Sequence, residues 1–289
     1  MTHSAPRATL TIGSGLPVRR LGYGTVHLAG HGAWGPRGTD ANATAVLRRA
    51  VELGVNLVDT ADNYGPGVVE ERVAAALRPY ADGLLIATKG GVVRTSAESW
   101  HIDGRPERLR AMCEASLRRL RLDRIDLYQL HRLDPDVPMA EQLGTLRELR
   151  DEGKIRHVGL DSVRAEQLRQ ALDLDIVPIV SVQNRYNVLD RVSEPLLKLC
   201  EEHGIAFLPW FPLGNGALTG HAVLADIAAA HGASPSQVAL AWLLHHSPVL
   251  CPTPGTGSVA HLEENVAAAG LRLTDADMAR LDALTPAGS

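Results

Sequence analysis

Eight short β-rich runs alternate with amphipathic helical stretches along the whole of this 289-residue chain, and that alternation limits the fold to an α/β class with a parallel sheet. The runs are VRRLGYG (18–24), NLVDT (56–60), LLIATK (84–89), IDLYQLH (125–131), RHVGLD (156–161), IVSVQN (179–184), IAFLPW (205–210) and VLCPTP (249–254). Between them, apolar residues recur at helical spacing over 40–53 (Val46, Leu47, Ala50, Val51, Leu53), 106–121, 138–152 and 192–203. Thr39 and Asp40 open the first helical stretch and Gly54 closes it, Gly153 and Gly204 close two others, and Ser234-Pro235 starts a further one. With no linker, Pro/Ser-rich tract or composition shift, the repeats predict one domain over 1–289, a single (β/α)8 TIM barrel. ATLTIGSGLPV, ahead of the first run, predicts an N-terminal β-hairpin capping the bottom of the barrel. A doubly wound sheet is the competing architecture.

The glycines near the C-terminus separate the two. GTGSVA (255–260) fits a dinucleotide fingerprint, but that unit needs a second strand with an acidic residue about 20 positions on. Only 32 residues follow Gly257, and Val259, Leu262, Val266, Leu273, Met278, Leu281 and Leu284 among them keep helical spacing. A doubly wound sheet would carry its glycines after the first strand. A barrel holds phosphates in the loops after strands seven and eight, so the sequence predicts a phosphate on a helix N-terminus here.

Charge narrows the possible partners. Net charge is −4, pI is near 6.3 and both signs are interspersed, which argues against a nucleic-acid or anionic membrane surface. The densest basic group, Arg118, Arg119, Arg121 and Arg124, reads as a solvated helix face. The N-terminus lacks the apolar core of a signal peptide, and no run approaches the ~18 apolar residues of a membrane span. Cys113, Cys200 and Cys251 lie far apart and are odd in number; they read as reduced, buried thiols of a cytoplasmic protein. No His-x-His or Cys-x2-Cys pair is present, so no metal site is expected. His245-His246 reads as structural.

In a barrel, catalytic groups sit where strands end at the C-terminal mouth. Asp59 ends the second run, Tyr64 follows in DTADNYG, Lys89 ends the third run and His131 the fourth. Taken singly, they read as a helix cap, a rim aromatic, a solvated charge and a core histidine. Together they put a carboxylate, a phenol, an amine and an imidazole at one mouth.

At these residues the chain resembles the aldo-keto reductase superfamily. GVNLVDTADNYG, ATKGG, DLYQLHR, GKIRHVGL, VQNRYN, PWFPLG and PGTGSVAHLEENVAA appear in the family's order over nearly the whole length. The resemblance implies an NADPH-dependent enzyme, with NADH open, that reduces an aldehyde or ketone and has Asp59, Tyr64, Lys89 and His131 as its catalytic tetrad. Tyr64 would be the acid, and the Lys89 ammonium, held by Asp59, would pull the phenol's pKa down from ~10. His131 would aim the carbonyl oxygen. The resemblance also implies that Thr256, Gly257, Ser258 and His261 face the 2′-phosphate, and that Glu264 and Asn265 reach the adenine. Trp210 would stack on the nicotinamide, while Phe211, Leu213 and Gly214 offer amides to the pyrophosphate. Gly24 and Thr25 would complete the cradle, and Gln183 would bind the carboxamide.

The chain departs from the family's pattern in two places: where members that prefer NADPH often present Arg or Lys to the 2′-phosphate, this helix start offers only His261 as a cation, and one pair after strand five differs. GLDSV places Asp161 and Ser162 where Ser-Asn commonly holds the carboxamide, and a carboxylate there would favour the cationic, oxidised nicotinamide. His27, Trp34 and Trp100, in loops after strands one and three, are the expected substrate walls. The expected partner is a small carbonyl compound, and the expected assembly a monomer or weak homo-oligomer. Two other functions fit the same residues: a Schiff-base lyase using Lys89 and a non-catalytic module that senses nicotinamide cofactor.

Overall fold

The computed structural model describes residues 8–216, Leu218 and 220–284. Its strands are β1 (Thr9–Ile12), β2 (Leu16–Arg19), β3 (Tyr23–Gly24), β4 (Leu57–Asp59), β5 (Leu85–Gly90), β6 (Val92–Arg94), β7 (Trp100–Ile102), β8 (Ile125–Leu130), β9 (Ile155–Asp161), β10 (Ile179–Arg185) and β11 (Ala206–Trp210). Its α-helices are α1 (Asp40–Glu52), α2 (Val68–Leu77), α3 (Pro106–Leu120), α4 (Met139–Asp151), α5 (Ala165–Leu174), α6 (Glu194–His203), α7 (Ala222–His231), α8 (Pro235–His246), α9 (Val259–Ala267) and α10 (Asp275–Asp282).

Seven strands pair in the order β3-β4-β5-β8-β9-β10-β11, all in parallel. The segment after α8 closes the cylinder, bridging Phe207 to Leu250 on one side and Gly24 to Gly255 on the other. The fold is a (β/α)8 barrel. Its eighth stave is not the regular strand expected over 249–254. Pro252 and Pro254 lack the N–H a ladder needs, so the segment only accepts on its β3 side, from Gly22 N to Pro252 O (3.0 Å) and Gly24 N to Pro254 O (3.4 Å). The first run is also corrected: Val18 and Arg19 belong to β2, antiparallel to β1, and only Tyr23 and Gly24 enter the barrel.

Side chains alternate across each strand, and this layers the interior. Leu57, Leu85, Ala87, Leu127, Ala206 and Leu208 form an apolar cluster with Ile12 and Val18 of the β1–β2 hairpin. The hairpin therefore plugs the N-terminal end, as expected. Two residues further along the same faces stand Asp59, Lys89 and Gln129, and the apolar layer gives way to a polar one at the opposite mouth. The alternate residues Val58 and Ile86 pack outward beneath α1 and α2, and Tyr128, Val158, Val182 and Phe207 beneath the later helices.

Helix ends follow local chemistry. Thr39 Oγ1 accepts Asn42 N at the start of α1, and Ser234 and Gln237 form a capping box around Pro235 at the start of α8. The β6–β7 hairpin was not anticipated. It stands directly after β5 at the mouth, its ladder running from Val92↔Ile102 to Arg94↔Trp100. All three cysteines are buried and unbonded. Among the described residues no helix is long and apolar enough to cross a membrane, and no group of three or more His, Cys, Asp or Glu residues is disposed to hold a metal.

Candidate active site

β4 ends on Asp59, while on β5 Ala87 pairs with Asp59 and Lys89 stands two residues further on, next to the strand's end, on the same inward face. Lys89 Nζ donates to Asp59 Oδ2 at 2.7 Å and to Thr60 O at 2.9 Å. Asp59 also accepts Gln129 Nε2 on Oδ1 at 3.0 Å and Gln183 Nε2 on Oδ2 at 3.1 Å. Both charges are almost fully buried, at 1% and 5% side-chain exposure. Such a pair persists only when further hydrogen bonds satisfy it, and the two glutamines provide them. Burial alone would depress the Lys89 pKa, but Asp59, Tyr64 and Asp161 together raise it above the ordinary value. The amine therefore stays an ammonium.

Tyr64 hangs from the loop after β4, which is pinned by Asp62 N to Lys89 O (3.2 Å) and Tyr64 N to Ala61 O (3.2 Å). Lys89 Nζ lies 5.5 Å from the Tyr64 ring centroid, and the ring meets His131 edge-on at 6.3 Å between centroids. The expected fall in the phenol's pKa is corrected. Burial pushes Tyr64 up to about 12; Lys89 opposes this but is outweighed, and Asp59 and Asp161 add to the rise. His131 follows β8, its N–H bonded to Gly90 O at 2.9 Å. Burial, Lys89, Arg132 and Arg94, in that order, hold its imidazole well below its ordinary pKa, so it is neutral and can donate a single N–H.

These four groups stand at one end of a cleft of about 620 Å³. Tyr64, Asp59 and His131 line it with Gly24, Thr25, His27, Asp161, Ser162, Gln183, Trp210, Phe211, Leu213, Thr256, His261, Glu264 and Asn265. Lys89 lies just beneath, on Asp59. Gly214, Gly257 and Ser258 are not on its wall, although Leu213 and Thr256, next to the two glycines, are. Trp34 and Trp100, expected as substrate walls, stand outside it and are 41% and 46% exposed. Trp100 sits on β7 rather than in a loop, with the Arg132 guanidinium 5.5 Å over its ring. Sequence reasoning missed Arg132 in the cleft wall, and also Ser234, Pro235 and Ser236 at the start of α8. The Ser-Pro signal was visible there but marked only a helix start.

Several expected ligand contacts prove to be partly engaged within the chain. Thr25 Oγ1 donates to Asp59 O at 3.0 Å, and Glu264 accepts a short hydrogen bond from Ser234 Oγ. Ser258 Oγ caps α9 by accepting His261 N, and Thr256 Oγ1 accepts Ser258 N, which leaves each hydroxyl its own proton to donate. Ser162, at φ 56°, donates Oγ to Asp161 Oδ1 at 2.6 Å. Burial raises the Asp161 carboxyl to about 7, although Lys89 and the Ser162 hydroxyl work against it. Gln183 Oε1 is buried without a hydrogen-bond partner.

The barrel thus gathers a buried ion pair, a phenol and an imidazole of lowered pKa at one mouth. Residues 20–286 match the Aldo/keto reductase family, and the chain belongs to that family of oxidoreductases. It is 45% identical over 275 residues to an uncharacterised oxidoreductase of Schizosaccharomyces pombe, covering 95% of this chain and 89% of that one. It is 40% identical over 283 residues to the pyridoxine 4-dehydrogenase of Escherichia coli, covering 96% and 98%. An aldo/keto reductase from Klebsiella pneumoniae, solved in complex with NADP and acetate, superimposes with a TM-score of 0.84 at 27% identity, covering 98% and 97%.

Proposed function

We propose that this protein reduces an aldehyde or ketone to an alcohol with NADPH, and that Tyr64 supplies the proton. The observation that carries the reading is the juxtaposition of Tyr64, an ion-paired Lys89 ammonium and a neutral His131 at one end of a long cleft. The residues present fit a nicotinamide dinucleotide. The unpartnered Gln183 Oε1 suits a carboxamide NH₂, the Trp210 indole suits a flat ring, and the start of α9 with the Thr256 and Ser258 hydroxyls suits a phosphate. The K. pneumoniae relative's complex with NADP agrees with this. When bound, the reduced cofactor supplies hydride to the carbonyl carbon.

The chain's own part concerns the oxygen. As negative charge develops there, Tyr64 Oη gives up its proton, and the Lys89 ammonium stabilises the phenolate that remains. A phenol held near 12 is fully protonated at neutral pH, the state a donor needs. His131 contributes a hydrogen bond to the same oxygen. Asp59, Gln129 and Gln183 keep Lys89 oriented and charged. That charge speaks against the lyase reading, because an ammonium held by Asp59 and Thr60 has no lone pair with which to attack a carbonyl.

The test is steady-state turnover of an aldehyde panel with NADPH and NADH, with pyridoxine oxidation run alongside because a relative bears that activity. Tyr64→Phe should cut turnover by at least ~10²-fold, with cofactor affinity little changed. Near-normal turnover in that variant removes Tyr64 from the role. Tight cofactor binding with no turnover on any substrate favours the sensing module.

A further inference from the structure

Arg132 brings a positive charge into the cleft that the proton-transfer machinery does not use. It follows His131 at the end of β8 and lines the same wall as Tyr64 and His131. Among the described residues no carboxylate stands within ion-pair distance of its guanidinium. Instead the guanidinium stands over the ring of Trp100, 5.5 Å from its centroid. The charge reaches the reacting end of the cleft, since both His131 and Asp161 feel it. Of the other charges there, Lys89 and Asp59 neutralise one another.

Resting on the reading of carbonyl reduction, we infer that Arg132 is a specificity determinant that recognises a carboxylate, or an oxyanion of like shape, on the substrate. A planar guanidinium presents paired donors that match a carboxylate edge to edge. Half-buried placement weakens competition from water, so a paired anion there counts for more than on an open surface. Trp100 acts through Arg132 as a positioning residue: it stands outside the cleft, and its ring face holds the guanidinium over the mouth. This gives the β6–β7 hairpin a purpose, because it carries Trp100 to that place. Aldehydes or ketones that bear a carboxylate near the carbonyl are the substrate class implied.

The experiment compares carboxybenzaldehydes with nitrobenzaldehydes, neutral molecules of the same shape, at the ortho, meta and para positions. The quantity read is the ratio of kcat/KM for the two members of each pair, so that the intrinsic reactivity of each aldehyde cancels between proteins. Arg132→Met should lower the carboxy-to-nitro ratio by about tenfold or more at the best-placed position, chiefly through KM. Arg132→Lys should restore part of it, and Trp100→Leu should raise KM for the carboxylate more than for its nitro partner. Benzoate and benzamide titrated into the NADP-saturated wild type and Arg132→Met proteins read the same recognition without turnover. Preferential binding of benzoate that is lost in Arg132→Met supports the assignment even if carbonyl reduction itself fails. An equal carboxy-to-nitro ratio, or equal benzoate binding, in wild type and Arg132→Met overturns it.

Discussion

A single carboxyl at the floor of the cleft ties the protein's behaviour to pH. Asp161 is held at about 7 by burial, against an ordinary 3.8. For an acid raised in the folded state, ionisation of the unfolded chain begins first, so native stability falls as pH rises from about 4 to about 7 and then levels off. Asp161→Asn removes that slope, and urea denaturation of both proteins at several pH values would show it; parallel curves would place Asp161 in contact with water. If the carboxyl faces the nicotinamide, its charge above about 7 favours the cationic oxidised form. The bound is roughly 3 kcal/mol for unit charges ~6 Å apart at an effective dielectric of ~20, less after screening. The ratio of dissociation constants, oxidised over reduced, should therefore fall with pH in the wild type, and stay flat and several-fold higher above that pH in Asp161→Asn. Fluorescence titration of both cofactor forms from pH 6 to 8 measures this. Asp59, Tyr64, Lys89 and His131 were legible because each falls at or just after the end of a strand-like run. Arg132 was not, because its meaning depends on which charges it fails to meet in space. The tie between Glu264 and Ser234 spans 30 residues of chain and leaves no local mark.

At the scale of elements, helices were read closely and the two strands flanking the seam poorly. Caps and stops are local chemistry, so α1, α3, α4 and α6 lie within about two residues of expectation. That Val18 and Arg19 stay with the hairpin and leave only Tyr23 and Gly24 to the barrel depends on tertiary context that a run of β-formers does not encode. The prolines of VLCPTP were in plain view and argued against a regular strand. The β6–β7 hairpin also left a signal, β-prone VVR and WHI separated by the polar turn TSAES. The glycines at the seam divide by cause. A Cβ on Gly24 would stand 2.5 Å from Thr253 O, a backbone atom, whereas one on Gly257 would find nothing closer than 3.7 Å. Gly24→Ala should cost about 1–3 kcal/mol of stability by overpacking. Gly257→Ala should fold almost normally and instead weaken NADPH affinity, because only a phosphate's close approach requires a bare backbone there. Thermal melts paired with cofactor titrations separate the two effects; equal destabilisation would show that both glycines serve packing.

The molecule as a whole sets its apolar plug and its candidate active site at opposite ends of the barrel. Ile12 is fully buried in the hairpin plug, at the end of the barrel away from Tyr64. Ile12→Ala should cost about 2–5 kcal/mol in denaturant unfolding while turnover per folded molecule is unchanged; a fall in kcat would mean that the two ends are coupled. The closure at Pro252 and Pro254 has a different consequence. The cylinder is a rolled sheet fastened by one segment whose two edges hold few bonds, donated by Gly22 and Gly24 on one side and by Phe207 and Cys251 on the other, whereas β8 and β9 share a ladder from Ile125↔Ile155 to Leu130↔Leu160. Seen through deuterium exchange, such a cylinder has a zip: those four amides should take up label through partial openings, well before the amides of β8 and β9, whose exchange awaits global unfolding.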